Sequence, residues 1–322
     1  MNPLKAAALI PLLARLCGLS ASAHPGSGLA VDTQGRVFFT AGPMIVMIET
    51  NGVARTIVHD AKNEKFYQLH HIQPAPDGGW LTASNMGNAI WRFTPEGKLT
   101  RFYPPQNDER PLRVGSGGDP FAVDRAGNVY TVNSSQRRFT QILKITAEGQ
   151  VSVLAGSNWG FADGQGADAK FAELHSGSMI VSPDGALLLS DDSARVRRVE
   201  ANGKVTTLAG GITRGFADGQ GTAARFDGAA GLALDAQGDV LVAESSGRIR
   251  RIDAASVVTT LAGSAKTGSQ DGPALEATFT EPTGIALGPT GDIYVLEPGN
   301  HRIRKISHGR VTTVHEGLPR TP

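Results

Sequence analysis

Four of the eight histidines occupy equivalent positions, each just before a short apolar segment of the chain. They are His24, the neighbouring pair His70 and His71, and His175. Because imidazole nitrogens bind zinc or copper when several side chains converge on one ion, this pattern predicts a metal site formed by His24, His70 and His175. His71 competes with His70 for that role, since side chains alternate along a strand. The alternative is that these histidines hydrogen-bond main-chain groups of their own loops.

Acidic residues supply a second recurring set. Asp191, Glu244 and Glu297 end the second apolar segment of their units, while Asp119, Asp227 and Glu281 occupy the position that histidine holds elsewhere. Carboxylates at such positions act as general bases, or bind Ca²⁺ through their oxygens. Histidines and acids together therefore predict either a metal-dependent enzyme or a metal-binding protein without catalysis. A purely structural role for them remains the competing interpretation.

The elements that must position these side chains recur six times. Each unit opens with an apolar strand that ends at a turn glycine: Gly35, Gly78, Gly127, Gly185, Gly238 and Gly291. Three further alternating segments follow in every unit, as in VLVAE, IRRID and VTTLAG of the fifth. Four such strands form an antiparallel meander that cannot bury both of its faces alone. Six meanders arranged radially cover one another, so the sequence predicts an all-β, six-bladed β-propeller of four-stranded antiparallel blades.

The propeller places the candidate residues on one face. The loops that enter the innermost strands and the turns that follow the second strands surround the mouth of the central channel, where ligands of closed β folds bind. The first unit opens on an innermost strand at Leu29, and the last ends on an outermost strand at residues 311–314. We therefore expect the ring to close by face packing between the first and sixth blades.

Residues 279–314 resemble an NHL repeat, with F-x-E-P-T-G-I-A-L, D-I-Y-V-L-E, N-H-R-I-R-K-I and V-T-T-V in order. The segments that begin LAGSNWGFADGQG and LAGGITRGFADGQG resemble the connections between such blades. The resemblance implies a platform that binds a protein or small-molecule ligand on its loop face. Similar six-bladed folds include lactonases and the peptide-amidating lyase, in which histidines from different blades bind zinc. A metal-dependent lyase or lactonase-type hydrolase is therefore the alternative, with Asp191, Glu244 or Glu297 as base.

Two other recurring motifs are predicted to be structural. The GFADGQG segments at residues 160–166 and 215–221 lack the Lys-Ser/Thr of a phosphate loop and the spaced acids of a calcium loop, so they are interpreted as blade-junction turns capped by Asp. The basic runs RVRR, RIRR and RIRK lie on third strands. Alternation sends one set of these side chains outward, which favours a solvated face over an anion groove.

Composition and charge exclude some partners. With 31 Lys and Arg against 30 Asp and Glu, the formal net charge is +1, which provides no basic surface for nucleic acid. The 40 glycines and 18 prolines favour tight turns and short β elements. No apolar run is long enough for a transmembrane helix. We expect a monomer.

Residues 1–23 are predicted to be a secretory signal peptide, and residues 24–322 the propeller domain. Lys5 supplies the positive charge, residues 6–13 the apolar region, and Ala21 and Ala23 the small residues of a cleavage site. Cleavage would remove the single cysteine, so a periplasmic or extracellular protein without disulfides is expected. It would also expose the amine of His24, which could then chelate copper together with its imidazole.

Overall fold

The computed structural model describes residues 28–59, 69–84, 89–103, 119–135, 138–172, 174, 177–191, 194–264, 266–298 and 302–317. These residues form six antiparallel sheets of four or five strands. The prediction of an all-β, six-bladed propeller is confirmed. Each sheet is one blade, and in every blade four strands follow one another in chain order outward from the innermost position.

Blades 1 to 3 have four strands each. Blade 1 contains β1 (Leu29–Val31), β2 (Val37–Ala41), β3 (Met44–Ile48) and β4 (Ala54–His59). Blade 2 contains β5 (Leu69–Pro74), β6 (Trp80–Ser84), β7 (Ala89–Phe93) and β8 (Leu99–Tyr103). Blade 3 contains β9 (Phe121–Val123), β10 (Val129–Ser135), β11 (Phe139–Ile145) and β12 (Val151–Asn158).

Blades 4 to 6 have a fifth, two-residue strand at the outer edge. Blade 4 contains β13 (Gly164–Gln165) at this edge, β14 (Met179–Val181), β15 (Leu187–Asp191), β16 (Arg195–Val199) and β17 (Lys204–Ala209). Blade 5 contains β18 (Gly219–Gln220) at the edge, β19 (Ala229–Leu234), β20 (Val240–Glu244), β21 (Arg248–Ile252) and β22 (Val257–Ala262). Blade 6 contains β23 (Gly272–Pro273) at the edge, β24 (Gly284–Leu287), β25 (Ile293–Glu297), β26 (Arg302–Ser307) and β27 (Arg310–Glu316).

The innermost strands β1, β5, β9, β14, β19 and β24 contact one another in that order and return to β1, so they surround a central channel. A side chain crosses this channel. The Gln73 amide of β5 donates a hydrogen bond to the main-chain carbonyl of Met179 in β14, over 3.1 Å. This bond joins blades 2 and 4 past the blade between them.

Six apolar clusters fill the spaces between neighbouring blades, one at each junction. They form because alternation along each strand supplies apolar side chains to both faces of every sheet. At the closing junction, Phe39 and Val46 of blade 1 pack with Leu296 and Ile303 of blade 6. The ring therefore closes by face packing between blades 1 and 6, as the sequence predicted.

The GFADGQG segments lie at blade junctions as predicted, but their Asp binds the next blade. Their Gly-Gln residues form the fifth strands, and Gly164 pairs with Val205 of the next blade. The preceding Asp163 accepts hydrogen bonds from the Thr207 amide at 2.9 Å and the Thr207 hydroxyl at 3.0 Å. Each segment thus leaves one blade and seals the outer edge of the next.

The basic runs follow the prediction of a solvated face only in part. Arg198 and Arg251 lie partly in solvent and pair with Asp184 and Asp239 of their own blades. The middle arginines of the runs, by contrast, are completely buried: Arg197, Arg250 and Arg304. Alternation turns these side chains into the blade junction, where carboxylates and main-chain carbonyls receive the guanidinium group.

One turn contains a strained residue where its relatives have glycine. Ser256 has φ of +62°, and the corresponding turns of blades 1 to 4 have Gly52, Gly97, Gly149 and Gly203. A left-handed conformation costs an L-residue roughly 1–2 kcal/mol, partly offset by the greater freedom of glycine in the unfolded chain. We expect Ser256→Gly to raise the free energy of unfolding by about 1 kcal/mol, or the thermal midpoint by roughly 2 °C. A lower midpoint in differential scanning calorimetry would contradict this.

Candidate functional site

The structure describes only some of the candidate site residues that the sequence predicts. His70, His71, Asp119, Asp191, Glu244 and Glu297 are among those described. His24 and His175 lie outside the described residues, so the predicted convergence of His24, His70 and His175 stays a prediction.

A β-bulge in β5 determines the backbone positions of the two adjacent histidines. In the pairing of β5 with β6, His70 lies opposite Ala83 and Ile72 opposite Thr82, so His71 is the extra residue. Its φ is +50°, a left-handed conformation that a residue with a Cβ adopts at a cost. The bulge interrupts the alternation on which the expected competition between His70 and His71 depended. Both side chains are buried, and their ring centroids are 6.4 Å apart.

Blades 2 and 3 meet beside this bulge. The rings of His71 and of Phe121 in β9 pack edge to face, with their centroids 6.5 Å apart. Asp119, two residues before Phe121, is 2% exposed. Two imidazoles, a carboxylate and a phenyl ring are thus buried at the loop-face ends of adjacent innermost strands. We call His70, His71, Asp119 and Phe121 the mouth cluster.

The equivalent acids of blades 5 and 6 differ from Asp119, because Asp227 and Glu281 are exposed. Glu281 has φ of +47°, and Ala194, in the turn after β15, has φ of +60°. Left-handed residues with side chains therefore occur in blades 2, 4 and 6 on the loop face. Backbone strain of this kind is found mainly where a ligand or a neighbouring element holds the chain in place.

The three predicted carboxylate bases are each paired with an arginine inside a blade junction. Asp191 accepts from Arg197 at 3.4 Å, Glu297 from Arg304 at 2.9 Å, and Glu244 from Arg250. All six side chains have no exposed surface. Burial raises the pKa of Glu244 and of Glu297, and the neighbouring guanidinium groups oppose that effect.

The guanidinium group of each buried arginine is held on several sides. Arg250 donates to the carbonyls of Arg225 at 3.2 Å and Ala217 at 2.9 Å, and to Asp218 at 2.6 Å. It lies between two rings, 4.8 Å from the centroid of Phe216 and 5.3 Å from that of Phe226. We call each such set an arginine clamp. Sequence reasoning missed the clamps, although Asp and Arg recur together in the same three units.

The described histidines and acids do not complete a metal site. Within the described ranges, no three His, Cys, Asp or Glu side chains are grouped so that they could hold an ion. Of the predicted histidine ligands, only His70 and its competitor His71 belong to those ranges, so the zinc or copper site stays a prediction.

Comparison with known proteins agrees with the architecture. The NHL repeat family model matches residues 279–306, in blade 6. Among solved structures, an auxiliary nutrient binding protein from Bacteroides thetaiotaomicron has a TM-score of 0.64 at 15% identity, over 91% of this chain and 70% of that one. Virginiamycin B lyase from Staphylococcus aureus has a TM-score of 0.53 at 16% identity, over 90% of this chain and 83% of that one. These likenesses establish the fold alone.

Among characterised proteins, Teneurin-1 of Gallus gallus is 25% identical over 232 residues, which are 56% of this chain and 8% of that protein. The chain thus corresponds to a small part of a much longer relative. In the described part of the chain, no helix has the length and apolar character needed to cross a membrane.

Proposed function

We propose that this six-bladed NHL-repeat propeller is an exported binding protein that holds a small-molecule or peptide ligand at the channel mouth, against blades 2 and 3. The observation that carries the proposal is the bulge at His71. A buried histidine in a left-handed conformation costs roughly 1–2 kcal/mol. Folds retain such strain mainly where a site requires a fixed side chain, and bulges commonly occur beside binding sites because they redirect side chains.

The chemistry of the mouth cluster supports the same assignment. Imidazoles donate and accept hydrogen bonds, the Asp119 carboxylate accepts them, and Phe121 supplies an apolar ring. Ligand sites combine a mostly apolar lining with a few convergent polar groups. The Gln73 bridge across the channel limits how deeply a ligand can enter, which favours binding at the mouth over passage through the ring.

The test is a ligand-observed NMR screen with lactones, short linear peptides and cyclic peptides. For the compounds that bind, we expect His71→Gly and Asp119→Asn each to weaken affinity at least tenfold. Glycine keeps the left-handed backbone at position 71 and removes the whole side chain. Ser256→Gly is the matched control, because it makes the same backbone change on the opposite face and should leave affinity unaltered. Absence of binding, or affinity that both variants retain, would contradict the proposal.

An enzyme is the second candidate, favoured by the proximity of the His70 and His71 rings. The structural neighbours include a protein named as a lyase, and this chain shares only its fold. A metal-dependent lyase or lactonase-type hydrolase would bind metal through His70 with His24 and His175. It would turn over compounds from the same screen, and His175→Ala would remove a stoichiometric metal measured by elemental analysis. A metal that leaves with His175 but no turnover would indicate a metal-binding protein instead.

Export is part of the proposal. The protein for these measurements is purified from the exported fraction, where its intact mass reports whether residues 1–23 have been removed.

A further inference from the structure

Two amide side chains lie beside the mouth cluster, on the face of blade 3 that packs against blade 2. Asn133 of β10 lies opposite Gln141 of β11, and its amide donates a hydrogen bond to the Gln141 side-chain carbonyl over 3.2 Å. In the pairing of β10 with β9, Thr131 lies opposite Phe121, which packs against blade 2. Two residues nearer the mouth on these strands are Asn133 and Asp119. Alternation therefore places Asn133 and Gln141, which we call the amide pair, in one row with an acid of the mouth cluster.

The other blades have different side chains in this row. In blades 4 to 6 a carboxylate of the second strand lies opposite the arginine that begins the third: Asp191 and Arg195, Glu244 and Arg248, Glu297 and Arg302. Those carboxylates are buried in the arginine clamps. Blades 1 and 2 have small or apolar residues: Ala41 and Met44, Ser84 and Ala89. Among these six described pairs, blade 3 alone has two uncharged amides, and it is the blade that His71 contacts.

The amide pair has hydrogen-bonding capacity that no described residue uses. Two primary amides carry four N–H groups and two carbonyl oxygens, and the bond between them uses one N–H and one oxygen. Both side chains are partly exposed, so a ligand at the mouth can reach them. Thr131, two residues away on the same side of β10, is completely buried, and its hydroxyl has no hydrogen-bond partner among the described residues. Folds rarely retain such a buried group unless a bound molecule completes its hydrogen bonds.

The remaining groups of the amide pair match a ligand that also carries an amide. The ligand carbonyl would accept from an N–H of the pair, and the ligand N–H would donate to the Asn133 carbonyl oxygen. An ester or a lactone has acceptors only, so on binding it would take water from that oxygen without replacing the hydrogen bond. A carboxylate ligand would lie beside Asp119, where like charges repel.

We propose that Asn133 and Gln141 make the mouth site selective for ligands that carry an amide group, such as peptides and lactams, over esters and lactones. The inference rests on the ligand site proposed above and names the class of ligand that this site accepts. Sites that hydrogen-bond a ligand N–H reject analogues without it far more strongly than apolar pockets reject a change of size. The amide pair thus determines specificity, while the His71 and Phe121 rings contact the rest of the ligand.

The test compares amides with their ester analogues on the unaltered protein. The probes are an N-acetylated Gly-Phe-Gly amide, the cyclic dipeptide of Gly and Phe, and the esters in which oxygen replaces one N–H of either compound. We expect the amides to bind in ligand-observed NMR and the esters to bind at least roughly tenfold more weakly. Because this comparison needs no substitution, it remains valid even if a variant fails to fold.

Variants then assign the selectivity to the amide pair. Gln141→Met keeps the length of the side chain and removes its hydrogen bonds, so it should weaken the amides at least tenfold and leave the esters within about twofold. Asn133→Leu should act in the same direction. Gln150→Met is the matched control, because Gln150 is exposed in a turn of the same blade on the opposite face, and it should leave both affinities unchanged. Circular dichroism checks that each variant is folded.

The outcomes separate this inference from the proposed function. Esters that bind as tightly as amides, or selectivity that Gln141→Met retains, would overturn the role of the amide pair. If His71→Gly still weakens those compounds, the ligand site itself stands. Lactones that bind where both amides fail would have the same meaning. If neither class binds, the proposed ligand site fails and this inference fails with it.

Discussion

The variant Arg250→Met is expected to lose about 3–5 kcal/mol of the free energy of unfolding, because it leaves a buried carboxylate without its partner. Neither Glu244 nor Arg250 has exposed side-chain surface. Methionine fills much of the space but leaves the carbonyls of Arg225 and Ala217 without the donors that reach them from Arg250. Urea unfolding followed by circular dichroism measures the loss.

Two further variants separate the contribution of the ion pair from that of packing. The double variant Glu244→Gln/Arg250→Met removes both charges, and it should recover more than half of the lost stability. The control variant Arg251→Met changes the next residue of β21. The Arg251 side chain is 41% exposed and pairs with Asp239. This variant should cost less than about 1 kcal/mol, as exposed ion pairs do. If Arg250→Met and Arg251→Met cost the same, the clamp does not stabilise the junction.

The loss in Arg250→Met should depend on pH with a definite sign. Burial raises the pKa of Glu244, and Arg250 opposes this, so removing the arginine raises that pKa further. A carboxyl group whose folded pKa lies above its unfolded value destabilises the fold increasingly as pH rises through the folded pKa. The unfolding free energy lost in Arg250→Met should therefore be large at about pH 8. It should be smaller at about pH 5, which is closer to the usual pKa of a glutamate. A loss that grows in acid would contradict this account.

The arginine clamps are one of two ways in which this propeller builds a blade. In blades 1 to 3, apolar residues hold the position of the clamp arginine: Val46, Trp91 and Leu143. Since apolar groups serve equally well there, the clamps are not needed simply to fill the junction. In blades 4 to 6 each clamp receives an Asp from the preceding connection. The clamp therefore fixes the path of the connection that seals the blade edge.

The fold could be predicted because its signal is repeated. Six turn glycines, each followed by alternating segments, leave a radial arrangement as the way to bury both faces of every sheet. Ring closure followed from the order of strands at Leu29 and at residues 311–314. Each of these inferences depends on local periodicity, which the sequence expresses directly.

The candidate site was harder to predict from the sequence than the fold, because it depends on departures from the regular alternation of the strands. No residue type indicates that His71 is the extra residue of a bulge, so alternation could not predict how the His70 and His71 side chains are arranged. Likewise, alternation predicted that one set of arginines faces outward but not that the other set is buried against acids. The partner Asp163 lies 34 residues from Arg197 and reaches it only because the connection crosses to the next blade.

Gly210→Ala is expected to cost about 3–4 kcal/mol of the free energy of unfolding. Gly210 follows the irregular end of β17 with φ of +104°, a conformation that side chains rarely adopt. A Cβ there would lie 2.6 Å from the Ala194 carbonyl oxygen and 2.9 Å from the Arg195 Cα. Backbone strain of roughly 1–2 kcal/mol therefore adds to overpacking against main chain that cannot rotate away.

Gly221→Ala is the control that isolates the steric part of this effect. Gly221 has φ of +54°, and a Cβ at this position would meet nothing within 4 Å. Its substitution therefore carries the left-handed penalty alone, about 1 kcal/mol after the unfolded chain is counted. Gly156 and Gly263 have φ of +100° and +95° and would also meet main-chain atoms closely, so their alanine variants should behave like Gly210→Ala. If Gly210→Ala costs no more than Gly221→Ala in urea unfolding, close packing of β17 against the turn after β15 does not constrain this blade.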